Sequence, residues 1–356
     1  MHDRLVGVPP SAQVLNDMAQ AIENANARGA ADIAMSNPVF YNSALRNFVT
    51  PWTNEEQTVY ADLNDYTATV IGIIRDDEPF TDVLTGDVIY TGAQGVVPSD
   101  YSHTDNDHYL ELQERHIDLS DDTLLVKREQ STLPDSQIMA EEAAGVMTTR
   151  AAGMAFFRAG TNRRMFRYLA MNYLCRDMED LWDDTRPADR IRQDVPRSPG
   201  GDSDIFFSTC LGCHTGMDPM TQAFAYFEWD DEQERVVHTR GEVQEKYLIN
   251  ASTFPFGYIT TDNRWDNFWR AGPRSTLGWR GPTSGGYGAK TMGAEVAGSR
   301  AFSLCKVEQV FEQICFRPPG NPTDRQAVSD IATLFEQDYS MQEVFAQTAI
   351  YCMDNP

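Results

Sequence analysis

The pentapeptide Cys210-Leu-Gly-Cys213-His214 is the stretch of this chain whose residue types and spacing define a chemistry. Positions i and i+3 share a helix face, so both thiols can reach the two vinyl groups along one porphyrin edge. His214 then faces the iron as proximal ligand through Nε2, and the thioethers hold the ring against loss. A zinc site would need a second ligand pair, and none occurs at Cys-x-x-Cys spacing. A thioredoxin-like redox pair would need a βαβ setting, whereas the surroundings read as helix and loop. The expected cofactor is one covalently attached haem c.

A sulfur ligand opposite the histidine suits electron transfer, because Met/His ligation raises the potential and closes the iron. Met217 and Met220 lie too near His214 in sequence to pass to the other haem face. Met292, within Tyr287-Gly-Ala-Lys-Thr-Met-Gly293, reads as part of a flexible loop able to cover the distal side; as a packing methionine it would carry no such role. His238 is the second distal candidate, or else a solvated histidine in the charged run 230–240. With neither bound the iron is five-coordinate, and His238 with Arg240 is the acid–base pair in view. A porphyrin needs an apolar surround, and Phe224 and Trp229 lead a set of aromatics that could line it or simply fill a core. Arg270, Arg274 and Arg280 suit the propionates, since the guanidinium fork matches carboxylate geometry.

The elements that must position these residues are mainly helical. Ser11 caps a first helix with Val14, Leu15, Met18 and Ile22 on one face, and Asn37-Pro38 starts a second. A third runs from about Leu63 to Ile74. A short strand pair is expected within Glu111 to Val126. The cluster Asp105-Asn-Asp107 lacks an EF-hand's glycine and final Glu and reads as a solvated loop. Long helices return over Asp135 to Cys175, broken near Gly160, with Arg163, Arg164 and Arg167 opening the second. Pro187, Pro196, Pro199, Gly200 and Gly201 mark 186–201 as a linker. The expected division is a helical domain over 1–185, a cytochrome-c-like helical and loop-rich haem domain over 202–300, and a terminal three-helix unit over 301–356. Asp202 caps the motif helix, and Gly272 to Gly298 is irregular. The terminal helices carry capping boxes at Thr323-x-x-Gln326 and Ser340-x-x-Glu343.

Composition narrows the function classes. The chain has 356 residues, 41% of them hydrophobic, which is enough for a sizeable core. Its apolar runs fall well short of the roughly 18 residues of a membrane span. Acidic residues number 53 against 29 basic, a net charge of −24, and Lys127, Lys246, Lys290 and Lys306 are the lysines. Such a chain repels a phosphate backbone, which argues against nucleic-acid binding; the charge serves solubility or a basic partner.

Four cysteines lie outside the motif, an even number that suits two disulfides in an oxidising compartment. Short loops make neighbouring terminal helices antiparallel, so the first and third run parallel and their C-terminal ends meet. Cys315 ends the first and Cys352 the third, which predicts a Cys315–Cys352 bridge; elimination leaves Cys175–Cys305. The N-terminus Met1-His-Asp-Arg-Leu5 shows no basic segment followed by an apolar one. With the motif, this suggests an exported chain numbered from after a removed signal peptide, in the periplasm or outside the cell.

The sequence resembles the exported cytochrome-c-like proteins first catalogued in planctomycetes, which are assembled from several domains of unknown function. The stretches that carry the resemblance are Cys210-Leu-Gly-Cys-His-Thr-Gly-Met-Asp-Pro219, Phe224 to Glu228 and Ser299-Arg-Ala-Phe-Ser-Leu-Cys305. It covers roughly residues 135 to 356 and implies a covalent haem, an exported location and a redox role. Many members carry an additional N-terminal haem domain, and this chain has one attachment motif, so relay between haems within one protomer is excluded. The expected function is a monohaem c-type cytochrome transferring single electrons between partner proteins. Alternatives are a haem-carrying subunit of a larger exported assembly or filament, and a haem enzyme of peroxidase or oxygenase type with an open distal site.

Overall fold

The computed structural model describes residues 1–158 and 160–355. At its centre lies the helix Asp65–Arg75, capped by Asn64, whose side chain accepts from the Thr67 amide at 3.0 Å. The run Tyr66 to Ile74 is apolar on every side, and a helix without a polar face is buried all round; each of those residues is buried. Asp65 at its start reaches outward to cap another helix, Arg150–Phe156: its carboxylate accepts from the Arg150 and Ala151 amides at 2.6 and 3.0 Å. Gly72 lets the Tyr90 ring lie flush on the helix, since a Cβ there would sit 2.1 Å from a ring carbon. Tyr90 belongs to the strand Ile89–Gly92, which pairs antiparallel with Leu125–Arg128.

The two ends of the chain meet around this centre. The first helix, His2–Val6, leans on Arg300–Cys315, where Arg4 Nη1 donates to the Ile314 carbonyl at 3.0 Å. Phe40 meets Phe345 edge-on at 5.2 Å, joining the N-terminal helices to the last one, Met341–Asp354. Buried side chains form one continuous core from Leu5 to Cys352, running across the boundaries expected near 185 and 300. Within 186–201, Ile191 and Val195 are buried with Phe206 in a small second cluster.

The terminal helices Arg300–Cys315, Pro322–Asp338 and Met341–Asp354 stand as the short loops predict, and both predicted cysteine pairs lie at disulfide distance. The Cα atoms are 5.3 Å apart in Cys175–Cys305 and 5.4 Å in Cys315–Cys352. Closing loops of 130 and 37 residues removes chain entropy worth about 5 and about 4 kcal/mol on the loop-closure formula.

Several local expectations are corrected. The middle terminal helix is capped by Asn321 with Asp324, not Thr323 with Gln326, because Pro322 occupies the first helical position. Ser340 caps the last helix as expected, accepting from the Glu343 amide at 3.1 Å, but the Glu343 carboxylate pairs with Arg28. Residues 107–114 form a helix, not a strand, and Leu125–Arg128 finds its partner upstream. Two further antiparallel pairs, Phe227–Asp230 with Arg235–His238 and Arg264–Asp266 with Gly285–Tyr287, follow the motif. The glycine-rich segment ends in a regular helix, Gly288–Ala297. In the helix Ala12–Glu23, Leu15 and Ile22 stay exposed, and Met18 is the residue it buries. Among the described residues no helix is long and apolar enough to cross a membrane.

Lys306 is fully buried beside the Cys175–Cys305 bridge. Its Nζ lies 3.8 Å from the Trp52 ring centroid and 4.3 Å from that of Tyr173, and donates to the Asn172 carbonyl at 2.7 Å and Gln309 Oε1 at 2.8 Å. Burial holds its pKa well below the ordinary value. In the alkaline range up to about pH 10 the unfolded chain therefore binds a proton the folded chain gives up, and stability rises with pH. Lys306→Met should leave stability unchanged or raise it by up to ~2 kcal/mol and flatten that slope, as read by urea unfolding across pH. Reduction of the denatured protein should add four hydrogens by intact mass, two for each bridge; no added mass would remove both bridges.

Candidate functional site

The motif sits on a continuous helical segment. Asp202 starts it, accepting from the Asp204 amide at 2.8 Å; a π-helical turn, Phe206–Cys210, follows, then the α-helix Leu211–Thr221. Two glycines one turn apart seat this helix. A Cβ on Gly212 would lie 2.3 Å from the Trp182 ring and one on Gly216 2.0 Å from the Trp269 ring, so only bare backbone fits this tryptophan wall. Trp269 in turn stacks on Trp279, with centroids 6.4 Å apart. Thr215 Oγ1 donates to the Asp183 carbonyl at 2.7 Å, and the Asp183 amide returns to the Gly212 carbonyl at 2.9 Å. At 100° per residue, packing Gly212 and Gly216 inward turns Cys213 and His214 to a different, partly exposed side.

Cys210 and Cys213 are the unpaired cysteines, and both are half-buried. Cys210 leans on the cluster of Ile191, Val195 and Phe206. The Cys213 thiol donates to the Met178 carbonyl at 3.4 Å, and its pKa is pushed up to about 11 by burial, with Glu179 and Asp177 adding to the effect. A thiol held protonated is a poor free nucleophile, which speaks against thiol–disulfide exchange at this site.

His214 Nδ1 lies 2.9 Å from Asp218 Oδ1, one turn along the helix. Asp218 is wholly buried and is met from the far side by the Arg163 fork: Nε to Oδ1 at 2.7 Å and Nη2 to Oδ2 at 2.9 Å. The Arg192 amide also donates to Oδ2, at 3.2 Å. Burial works against charge on Asp218, but Arg163 and His214 outweigh it and hold the carboxyl well below its usual range. An ionised carboxylate can only accept, so His214 donates from Nδ1; in the neutral ring Nε2 is then the nitrogen whose lone pair could bind a metal. Arg163 is shared with Asp194 through a second bidentate pair at 2.7 and 2.9 Å. Burial alone would lower the Arg163 pKa; the two carboxylates raise it instead. Arg192, also buried, lies over the Tyr247 ring at 4.6 Å and is held below its ordinary value by burial and by Arg163.

The remaining predicted residues are placed as follows. Met292 is not on a loop: it is fully buried on the helix Gly288–Ala297, because residues 288–297 hold a regular apolar face that packs on the core. Met217 and Met220 are buried on the motif helix itself. Phe224 is buried against Phe157, and Trp229 packs on Gly153 beneath the Arg150 guanidinium. His238 is buried on its strand against the Phe227 ring, with Nε2 3.7 Å from Glu142, and burial lowers its pKa to about 4. It is therefore not a solvated histidine. The three arginines are engaged within the protein. Arg270 binds the buried Glu295 and the Gly281 carbonyl, Arg274 binds the Trp182 carbonyl at 3.0 and 2.8 Å, and Arg280 pairs with Glu336 at 3.2 Å. The forks of Arg270 and Arg274 are engaged by protein acceptors, whereas Arg280 makes one contact and stays largely exposed.

Beside the N-terminal turns of the motif helix runs an apolar groove of about 390 Å³ lined by Ile191, Phe206, Phe207, Phe254 and Phe256, with Arg197 over the Phe206 and Phe254 rings at 4.9 and 4.5 Å. Phe207 is 57% and Phe256 92% exposed. Arg197, Asp194, Arg192 and the role of Arg163 escape sequence reasoning, since Arg163 lies 55 residues from Asp218 and 31 from Asp194. The i,i+4 spacing of His214 and Asp218 was the readable signal. Two unpaired thiols, an imidazole with one nitrogen committed, and exposed aromatics alongside fit a covalently held porphyrin.

Comparison with protein families, curated proteins and solved structures finds no match to this chain. The tryptophan wall makes a prediction independent of any cofactor. Gly216→Ala should destabilise the fold by about 1–3 kcal/mol through overpacking. Gly320→Ala, whose Cβ would meet nothing nearer than 3.9 Å, should stay within about 0.5 kcal/mol of the parent in urea unfolding.

Proposed function

We propose that the chain is a monohaem c-type cytochrome, exported, that passes single electrons between partner proteins. The observation that carries this is the partition of the cysteines: four are paired, and the two left unpaired are Cys210 and Cys213 beside His214. A haem bound there supplies a one-electron iron couple. The chain's own residues divide the remaining work. Cys210 and Cys213 anchor the porphyrin edge, His214 offers Nε2, and Asp218 holds the ring in the tautomer and orientation that this requires. The exposed Phe207 and Phe256 supply apolar surface next to the anchor, of the kind a porphyrin covers.

Two bridges suit an oxidising compartment, in keeping with export. The net charge of −24 favours a basic redox partner drawn in by the field, and the extent of chain outside 202–300 leaves room for a place in a larger exported assembly.

Absorption spectra of the protein from a host that matures c-type cytochromes, with a pyridine haemochrome assay, test this directly. The expected result is a c-type haemochrome with low-spin bands, lost when Cys210 and Cys213 are both changed to Ser. High-spin bands would move the function to an open, catalytic iron, and absence of haem would overturn the proposal. Electron exchange with a basic partner should slow steeply as salt rises from about 0.01 to about 0.15 M, where the screening length falls from ~30 to ~8 Å. A salt-independent rate would remove the steering role.

A further inference from the structure

We infer that Asp218 is the residue that sets the reduction potential of the site, acting through His214, and that Arg163 and Asp194 hold it in the state that does so. The inference rests on the haem reading above and deepens it. It stands on four observations. The Asp218 carboxylate is wholly buried, so water does not screen it. It touches the imidazole at Nδ1, 2.9 Å away, in a geometry fixed by the helix turn that carries both residues. The Arg163 fork and the Arg192 amide lock its two oxygens from the other side. Asp194 takes the opposite edge of the same guanidinium, so Arg163 is not spent on Asp218 alone.

The groups facing Asp218 are the His214 imidazole, the charged Arg163 and Arg192 and, beyond the arginines, Asp194, whose Oδ1 lies 3.9 Å from Arg192 Nε. Two carboxylates and two guanidinium groups cancel in sum, which is how such a cluster can be buried at all. They are ordered, however: the carboxylate is the member in contact with the histidine. A hydrogen bond from Nδ1–H to a charged acceptor makes the ring a more basic ligand than one to a neutral carbonyl. With a haem held by Cys210, Cys213 and His214, one electron taken from a donor protein would lower the positive charge of the site by one as Fe(III) became Fe(II), and passing it to an acceptor would reverse that. Electron density pushed onto the ring from Asp218 favours the more positive, oxidised form. Asp218 therefore lowers the potential and keeps the site easier to oxidise.

Asp218→Asn keeps an oxygen that can accept from Nδ1–H but removes the charge. At a fixed poised potential it should shift the Fe(III)/Fe(II) ratio at least tenfold toward Fe(II), equivalent to about 59 mV for one electron, with the ligation bands of the spectrum unchanged. Asp194→Asn leaves the histidine's own contact alone and frees Arg163 to act more fully on Asp218. It should shift the ratio the same way by less, about threefold. If Asp218→Asn does not hold its haem, the Asp194→Asn shift decides. Ratios within twofold of the parent for every haem-bearing variant overturn the inference and leave the cytochrome reading standing, whereas a parent without covalent haem overturns the cytochrome reading itself.

Discussion

The carboxylate of Asp218 is the constraint to which the rest of the site answers. Burying a lone charge is costly, and the chain meets that cost by bringing three separate segments to one point: the motif helix, the start of the helix Arg163–Leu174, and the 190–195 stretch that gives the Arg192 amide and Asp194. Each contact also fixes a position. Arg163 sets the distance between two helices, and the Arg192 amide draws its segment against the motif helix beside Cys210. Asn162, just ahead of Arg163, adds a second tie through its amide to the Phe224 and Phe227 carbonyls, both at 3.0 Å. A histidine placed by such a network has little freedom left except in what its outer nitrogen binds.

Where the sequence could be read, the governing physics was local or topological. The motif helix, the Ser11, Asp202 and Ser340 caps and the all-apolar helix after Asn64 follow from spacing and capping chemistry. The Cys315–Cys352 bridge followed from a different kind of argument: short loops force antiparallel neighbours, and the ends of alternate helices must then coincide, which left Cys175–Cys305 by elimination. The same reasoning failed wherever the deciding partner lay far away. Leu125–Arg128 looked like half of a local hairpin, but its partner is the strand at Tyr90, which Gly72 admits. Met292 sat among glycines that suggest a loop, yet those glycines permit close backbone approach: a Cβ on Gly293 would lie 2.1 Å from the Leu84 carbonyl oxygen. Arg270 and Arg274 have acceptors within the protein that no spacing rule could reveal.

Buried polar groups recur through the core as joints between elements. Asp65 belongs to one helix and caps another; Lys306 belongs to a terminal helix and is held by the Asn172 carbonyl and the faces of Trp52 and Tyr173. Packing by apolar side chains tolerates sliding, whereas a carboxylate or ammonium with its partners in place does not. These joints give one continuous core a defined arrangement despite its many short elements.

The Cys175–Cys305 bridge ties the motif-bearing stretch to the terminal helices. It closes a loop of 130 residues that contains the whole motif, and the helix bearing Cys305 is pinned at its far end by Cys315–Cys352. Once oxidised, the chain carries two closed loops, and the larger is packed into the same continuous core as the chain ends. Because residues of that loop share the core with both chain ends, the bridge limits how far the motif segment and the terminal helices can separate even where that core loosens.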